Sequence, residues 1–264
     1  MSLFTAHAIT AGYSRDSVIR EISFELDAGC LMGVLGANGT GKTTLLKAIC
    51  GILPHEGRCT LGGCELETLS AKSLAKLCSY IPQRSGIAID ISALDVVLMG
   101  FNPRLRLLEQ PDSAMILEAK AALDRVGLGG KAEENYLHLS EGQKQLCILA
   151  RTLVAQSRLL LLDEPESALD FCHRYRMLSL LAEHLERTQS AAIVSMHDPL
   201  LALNYCRKIL LLSEGRVLGT IHPDSDPLPD MERLLSEIYG PVSLQRLCTN
   251  GGRTQLVMLK EDEA

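Results

Sequence analysis

The chain has no excess of basic charge, no cysteines at C-x-x-C spacing and no long apolar run, and each absence removes a class of function. Lysine and arginine number 26 against 32 acidic residues, giving a net charge of −6 and a pI of about 5.7. Nothing forces a basic face on such a chain, so nucleic acid is not an expected partner. The nine cysteines, at positions 30, 50, 59, 64, 78, 147, 172, 206 and 248, are scattered and odd in number. They read as reduced core thiols of a cytosolic protein, not as a disulfide frame, a zinc site or an iron–sulfur site. No stretch approaches the ~20 apolar residues that cross a bilayer. Met1-Ser2-Leu3-Phe4-Thr5 is no charged segment leading into an apolar one, so a signal peptide is not expected. Any membrane connection is expected to run through a partner. There is no internal repeat, low-complexity segment, coiled-coil insertion or basic arm. What remains is an ordinary composition, 47% hydrophobic over 264 residues, ample for one large domain or two small ones.

The organising stretch is Gly36-Ala37-Asn38-Gly39-Thr40-Gly41-Lys42-Thr43-Thr44, which fits G-x-x-x-x-G-K-[ST] and follows the apolar run 31–35. Gly36, Gly39 and Gly41 permit a tight turn that aims successive N–H groups into one concavity, where phosphate oxygens can accept them. A helix from about Lys42, with Leu45, Leu46 and Ile49 on its apolar side and Gly51 as its stop, turns its positive end to the same place. Lys42 offers a point charge to the β and γ phosphates, and Thr43 a hydroxyl to Mg²⁺.

Before the loop, residues 3–9, 19–26 and 31–35 read as strands, with turns at Gly12-Tyr13-Ser14 and 27–29. Tyr13 is one of six tyrosines beside four phenylalanines and no tryptophan. It can stack on an adenine or stand as a partly exposed structural residue. After the loop come strands at 57–61 and 78–81, a helix near 71–77, and Pro82-Gln83 as a strand end. Residues 92–155 turn helical: Ser92 caps 94–99, a helix covers 112–126, and Ser140 with Gln143 forms a capping box ahead of Leu146, Leu149, Ala150 and Leu153. That box is a well-capped helix start and, equally, an exposed N-terminus able to receive an anion.

The four leucines 159–162 run into Asp163-Glu164-Pro165. Two carboxylates at the end of a buried strand are costly unless they have partners or work. Beside a phosphate loop that work is to hold Mg²⁺ (Asp163) and to orient and polarise the attacking water (Glu164). A helix to about 189 follows Ser167-Ala168-Leu169-Asp170, and strand 191–195 ends at Met196-His197. His197 lies at a carboxyl sheet edge, where a structural and a functional histidine are equally at home. A hairpin spans 208–220, residues 223–230 read as a linker, and a helix at 231–239 and a hairpin across Asn250-Gly251 complete the chain.

Seven motifs in this order resemble the ATP-binding-cassette ATPases over almost the whole chain. Residues 36–44 resemble Walker A, Gln83 the Q-loop glutamine, 139–143 the signature motif, 159–164 Walker B, 167–170 the D-loop, His197 the switch histidine and Tyr13 the adenine-stacking residue. The resemblance implies an α/β phosphate-loop NTPase (RecA-like) core with an antiparallel β subdomain and an inserted α-helical subdomain at 92–155. It implies an ATPase domain over 1–222, with 223–264 as a small extension packed on it. ATP and Mg²⁺ are the implied cofactors, with Thr43, Gln83 and Asp163 at the metal. Glu164, His197, Gln83 and Lys42 are the implied catalytic residues. Tyr13, Gly36, Asn38, Gly39, Gly41, Lys42, Thr43, Thr44, Ser140, Gly142 and Gln143 are implied at the nucleotide.

The family further implies a head-to-tail dimer in which Ser140 and Gly142 of one copy meet the γ-phosphate of the other. It implies membrane permease subunits, a substrate-binding protein acting through them, and a place on the cytoplasmic face of the membrane. The run 96–103 and the ending Ile238-Tyr239-Gly240 resemble importers of iron chelates (siderophore or haem) and vitamin B12. An exporter subunit, a soluble cassette protein on ribosomes or DNA, and a non-hydrolysing assembly module are the competing readings. Two departures stand out: Glu141 where the signature has glycine, and Glu166 where threonine is common. Glu141 is expected to point away from the nucleotide, since a carboxylate aimed at a γ-phosphate would repel it.

Overall fold

The computed structural model describes residues 2–13, 16–83, 86–106 and 108–262. In chain order the strands are β1 (Ser2–Tyr13), β2 (Asp16–Asp27), β3 (Leu31–Leu35), β4 (His55–Leu61), β5 (Cys64–Glu65), β6 (Cys78–Ile81), β7 (Leu159–Asp163), β8 (Ala191–Ser195), β9 (Lys208–Ser213), β10 (Arg216–Ile221), β11 (Val242–Cys248) and β12 (Thr254–Lys260). The α-helices are α1 (Lys42–Ile49), α2 (Ala71–Leu77), α3 (Ala93–Leu98), α4 (Ser113–Val126), α5 (Glu141–Ala155), α6 (Phe171–Thr188), α7 (Pro199–Tyr205) and α8 (Leu228–Tyr239).

A six-stranded sheet of order β10-β9-β3-β8-β7-β6 forms the centre, parallel from β9 to β6 with β10 antiparallel at one edge. Strands β3, β7 and β8 are buried on both faces, and alternate residues of the sheet enter two different cores. Leu159 and Leu161 of β7 join α1 and the antiparallel sheet β2-β1-β4-β5, while Leu160 and Leu162 join the core of α3 to α8. A strand period of two thus explains why the run is leucine throughout instead of alternating with polar residues. Capping boxes open α3 (Ser92 with Asp95) and α5 (Ser140 with Gln143), and Asp112 and Asp170 cap α4 and α6.

Three expectations need correction. Strand β1 continues through Gly12 and Tyr13, which pair with Ser17 and Asp16, so those two residues do not form the turn; Ser14 lies outside the described residues. The linker is shorter than 223–230, because α8 starts at Leu228 with Pro229 in its first turn, where a missing N–H costs nothing. Of the nine thiols, Cys64, Cys172 and Cys248 are exposed rather than core. Helix α7, capped by Asp198 ahead of Pro199, is an addition to the sequence reading.

Candidate functional site

The carboxyl ends of β3, β8, β7 and β6 lie side by side at one edge of the sheet. The phosphate-type loop leaves β3, His197 follows β8, Asp163 and Glu164 end β7, and Gln83 follows β6. Parallel strands entered from the same end bring these segments together, although more than a hundred residues separate Thr43 from Asp163.

Lys42 is only 5% exposed, and its Nζ donates to the carbonyls of Gly36 (2.8 Å) and Ala37 (3.2 Å), so its charge sits inside the loop. Burial lowers its pKa, and the nearby Glu164, Asp163 and Glu166 carboxylates oppose that shift. Gly41 has φ +99°, and a Cβ there would press on the Ile19 side chain, so glycine is required both for the turn and for packing on β2. Asn38, Gly39, Gly41, Lys42, Thr43, Thr44 and Glu164 line one cavity of about 200 Å³.

Asp163 is buried and fully partnered. Its Oδ1 accepts from the Thr43 hydroxyl (2.9 Å) and the Ser195 hydroxyl (2.7 Å), and its Oδ2 from the Tyr80 hydroxyl (3.2 Å). The backbone then turns left-handed at Glu164 (φ +48°), and the Glu164 N–H reaches Ser195 Oγ at 3.0 Å. Glu164 Oε1 lies 2.5 Å from His197 Nε2, and its Oε2 accepts from Gln83 Nε2 at 2.6 Å. The Gln83 carbonyl in turn accepts from Gln145 Nε2 on α5 (2.7 Å), so a chain of hydrogen bonds joins Glu164 to the helical layer.

Glu166 lies under this network at 3% exposure. Its Oε1 accepts from the His197 N–H (3.3 Å), while its Oε2 has no hydrogen-bond partner among the described residues. Burial pushes its carboxyl up to about 7; hydrogen bonds from its own N–H and that of His197 oppose the shift, and neighbouring Glu164 adds to it.

Other expected site residues are placed elsewhere. Ser140, Gly142 and Gln143 border a separate cleft of about 440 Å³ with Ala168, Leu169 and Asp170. The capping box occupies the Ser140 hydroxyl and the Gln143 Oε1. Glu141 turns along its own helix to Lys144 (2.8 Å). Tyr13, 49% exposed, stands at the end of β1 beside a groove that also includes Asp16, Leu53 and His55. Ser195, Tyr80, Glu166 and Gln145 complete the network without having been expected. The only sequence signal for any of them is Glu166 itself, a third carboxylate close after Asp163 and Glu164 at a position where threonine is common.

The chain matches the ABC transporter family model over residues 19–167. It is 33% identical over 229 residues to a Helicobacter pylori protein named for iron chelatin transport as its ATP-binding protein, covering 86% of this chain and 89% of that one. It is 35% identical over 246 residues to the hemin import ATP-binding protein HmuV of Bordetella pertussis, covering 89% and 91%. Among solved structures, a chain of an ABC transporter described as of metal-chelate type, in an inward-facing conformation, superposes with a TM-score of 0.81 at 26% identity over 99% of both chains.

Proposed function

Because the chain belongs to the ABC transporter family as an ATP-binding, ATP-hydrolysing subunit, we propose that it energises import of an iron chelate, haem or cobalamin through a separate membrane permease. The observation that carries this reading is the convergence of Lys42, Thr43, Asp163, Glu164, Gln83 and His197 on one sheet edge. The import side rests on the likeness to proteins named for iron chelatin and hemin, and on the metal-chelate type transporter that matches end to end.

In this reading Lys42 leaves its loop carbonyls for the phosphates, and the loop N–H groups and the start of α1 cradle them. The Thr43 hydroxyl and Asp163 carboxylate, already in contact, are hard oxygen donors of the kind Mg²⁺ takes, and the Gln83 amide is held on the adjacent Glu164. When bound there, Mg²⁺ supplies positive charge against the phosphate oxygens. Glu164 orients the attacking water and accepts its proton at a carboxylate oxygen, and His197 Nε2 fixes the position of that carboxylate. Ser140 and Gly142 reach a γ-phosphate only from a second copy, since in one chain they face a cleft of their own. No described helix is long and apolar enough to cross a membrane, so the protein works at the membrane by docking to the permease.

The test is reconstitution. The protein is co-purified with its permease, placed in proteoliposomes, and ATP turnover is followed as binding protein loaded with hemin, a ferric hydroxamate siderophore or cobalamin is added. Stimulation by one of these, with uptake of that compound, is the expected result. Hydrolysis indifferent to all three, or outward movement of substrate, would overturn the import reading.

A further inference from the structure

Away from the nucleotide edge, the antiparallel sheet brings together three side chains of metal-binding type. His55 opens β4, Cys59 lies four residues along it, and Glu67 follows β5 in a short 3-10 turn. One donor atom from each lies within 4.8 Å of the other two. His55 Nε2 is 3.0 Å from Glu67 Oε1, and that oxygen also accepts from the Cys59 N–H at 2.6 Å.

Along a regular strand, residues four apart stand about 13 Å from each other at Cα, too far for this convergence without a bend. Gly57, midway between them, supplies it: its φ is +92°, and the β1 pairing skips register there between His7 and Thr10. A Cβ at 57 would strike the carbonyls of His7 and Ala8.

The donor set carries the chemistry. A thiol, an imidazole and a carboxylate form the mixed sulfur, nitrogen and oxygen set that borderline ions such as Zn²⁺ prefer, unlike the all-oxygen neighbourhood of Asp163. Cys59 is fully buried and the His55 side chain 8% exposed, whereas Glu67 is 30% exposed and leaves one side open for a fourth, water ligand. We propose that His55, Cys59 and Glu67 form a binding site for a zinc-class divalent transition-metal ion, separate from the nucleotide site. His55 also borders the groove that holds Tyr13, so an ion here would brace β4 beside that groove.

The test uses the full chain with Mg²⁺ and ATP in excess to fill the nucleotide site. Titration with Co²⁺ is expected to develop a thiolate-to-metal charge-transfer band saturating at one equivalent, which Zn²⁺ then bleaches. Cys59→Ser should abolish the band. His55→Ala and Glu67→Gln, which disturb the core less, should each weaken binding by about tenfold or more, the scale lost even with an outer-shell partner. Cys64→Ser and Cys172→Ser should leave it unchanged. Absence of the band, its survival in Cys59→Ser, or unaltered affinity in both His55→Ala and Glu67→Gln would overturn the proposal.

Discussion

Glu164 is the residue on which turnover should depend most steeply. Glu164→Gln preserves shape and the bond to Gln83 but cannot take a proton, so ATP binding should persist while kcat drops by about 10²-fold or more, the usual share of a general base. Equilibrium nucleotide binding alongside steady-state hydrolysis checks both halves. Two other buried titratable residues contribute to the pH response of the fold. Glu166, raised from 4.5 to about 7, holds its proton longer in the fold than in the unfolded chain. Its contribution is complete below pH 4.5 and is lost as pH rises to about 7. His184 has no hydrogen-bond partner at either ring nitrogen among the described residues, and burial, with Arg187 and Arg125 nearby, pushes it from 6.5 down to about 4. Its contribution is complete above pH 6.5 and is lost as pH falls to about 4. Each is worth about 3 kcal/mol across its window, with opposite sign. Relative to the natural chain, urea unfolding from pH 4 to 8 should give a stability that gains more with rising pH in Glu166→Gln and gains less in His184→Leu. Identical slopes in all three would refute the assignment.

Among the elements, α5 joins both halves of the proposed mechanism. Its first turn carries Ser140 and Gly142, and its second reaches Gln83 through Gln145. Ser140→Ala removes one side of the capping box, for about 1 kcal/mol of stability in a denaturant titration. Its ATPase loss should exceed anything that deficit explains, because in the proposed mechanism the hydroxyl also serves a partner's phosphate. Elements of this kind were legible in the sequence. The loop at 36–44, the box at Ser140 and Gln143 and the leucines 159–162 each announce themselves through chemistry within a few residues. The contacts that tune the site were not. Tyr80 and Ser195 on Asp163, the His197 N–H on Glu166, and Gln145 on Gln83 join residues from 31 to 83 positions apart, and only strand order decides that they meet. The His55, Cys59 and Glu67 cluster was hidden for another reason. Its spacing matches no metal motif, and the bend at Gly57 that closes it is visible only as a backbone angle.

At the scale of the whole molecule, the cleft at Ser140 and the cavity at Lys42 are separate, so in the proposed mechanism one chain offers an incomplete site. ATP turnover per subunit should therefore climb with protein concentration, and Glu164→Gln with ATP should sediment as a dimer. A monomer that hydrolyses at full rate at high dilution would contradict this. The clasp on Glu164 has a further consequence. With His197 on one carboxylate oxygen and Gln83 on the other, the proposed base is aimed before any nucleotide arrives, like an engine already in gear. Under the proposed function a copy without a partner would then idle for want of the second half of its site, not for want of an aligned base, and ATP would be spared until two copies close.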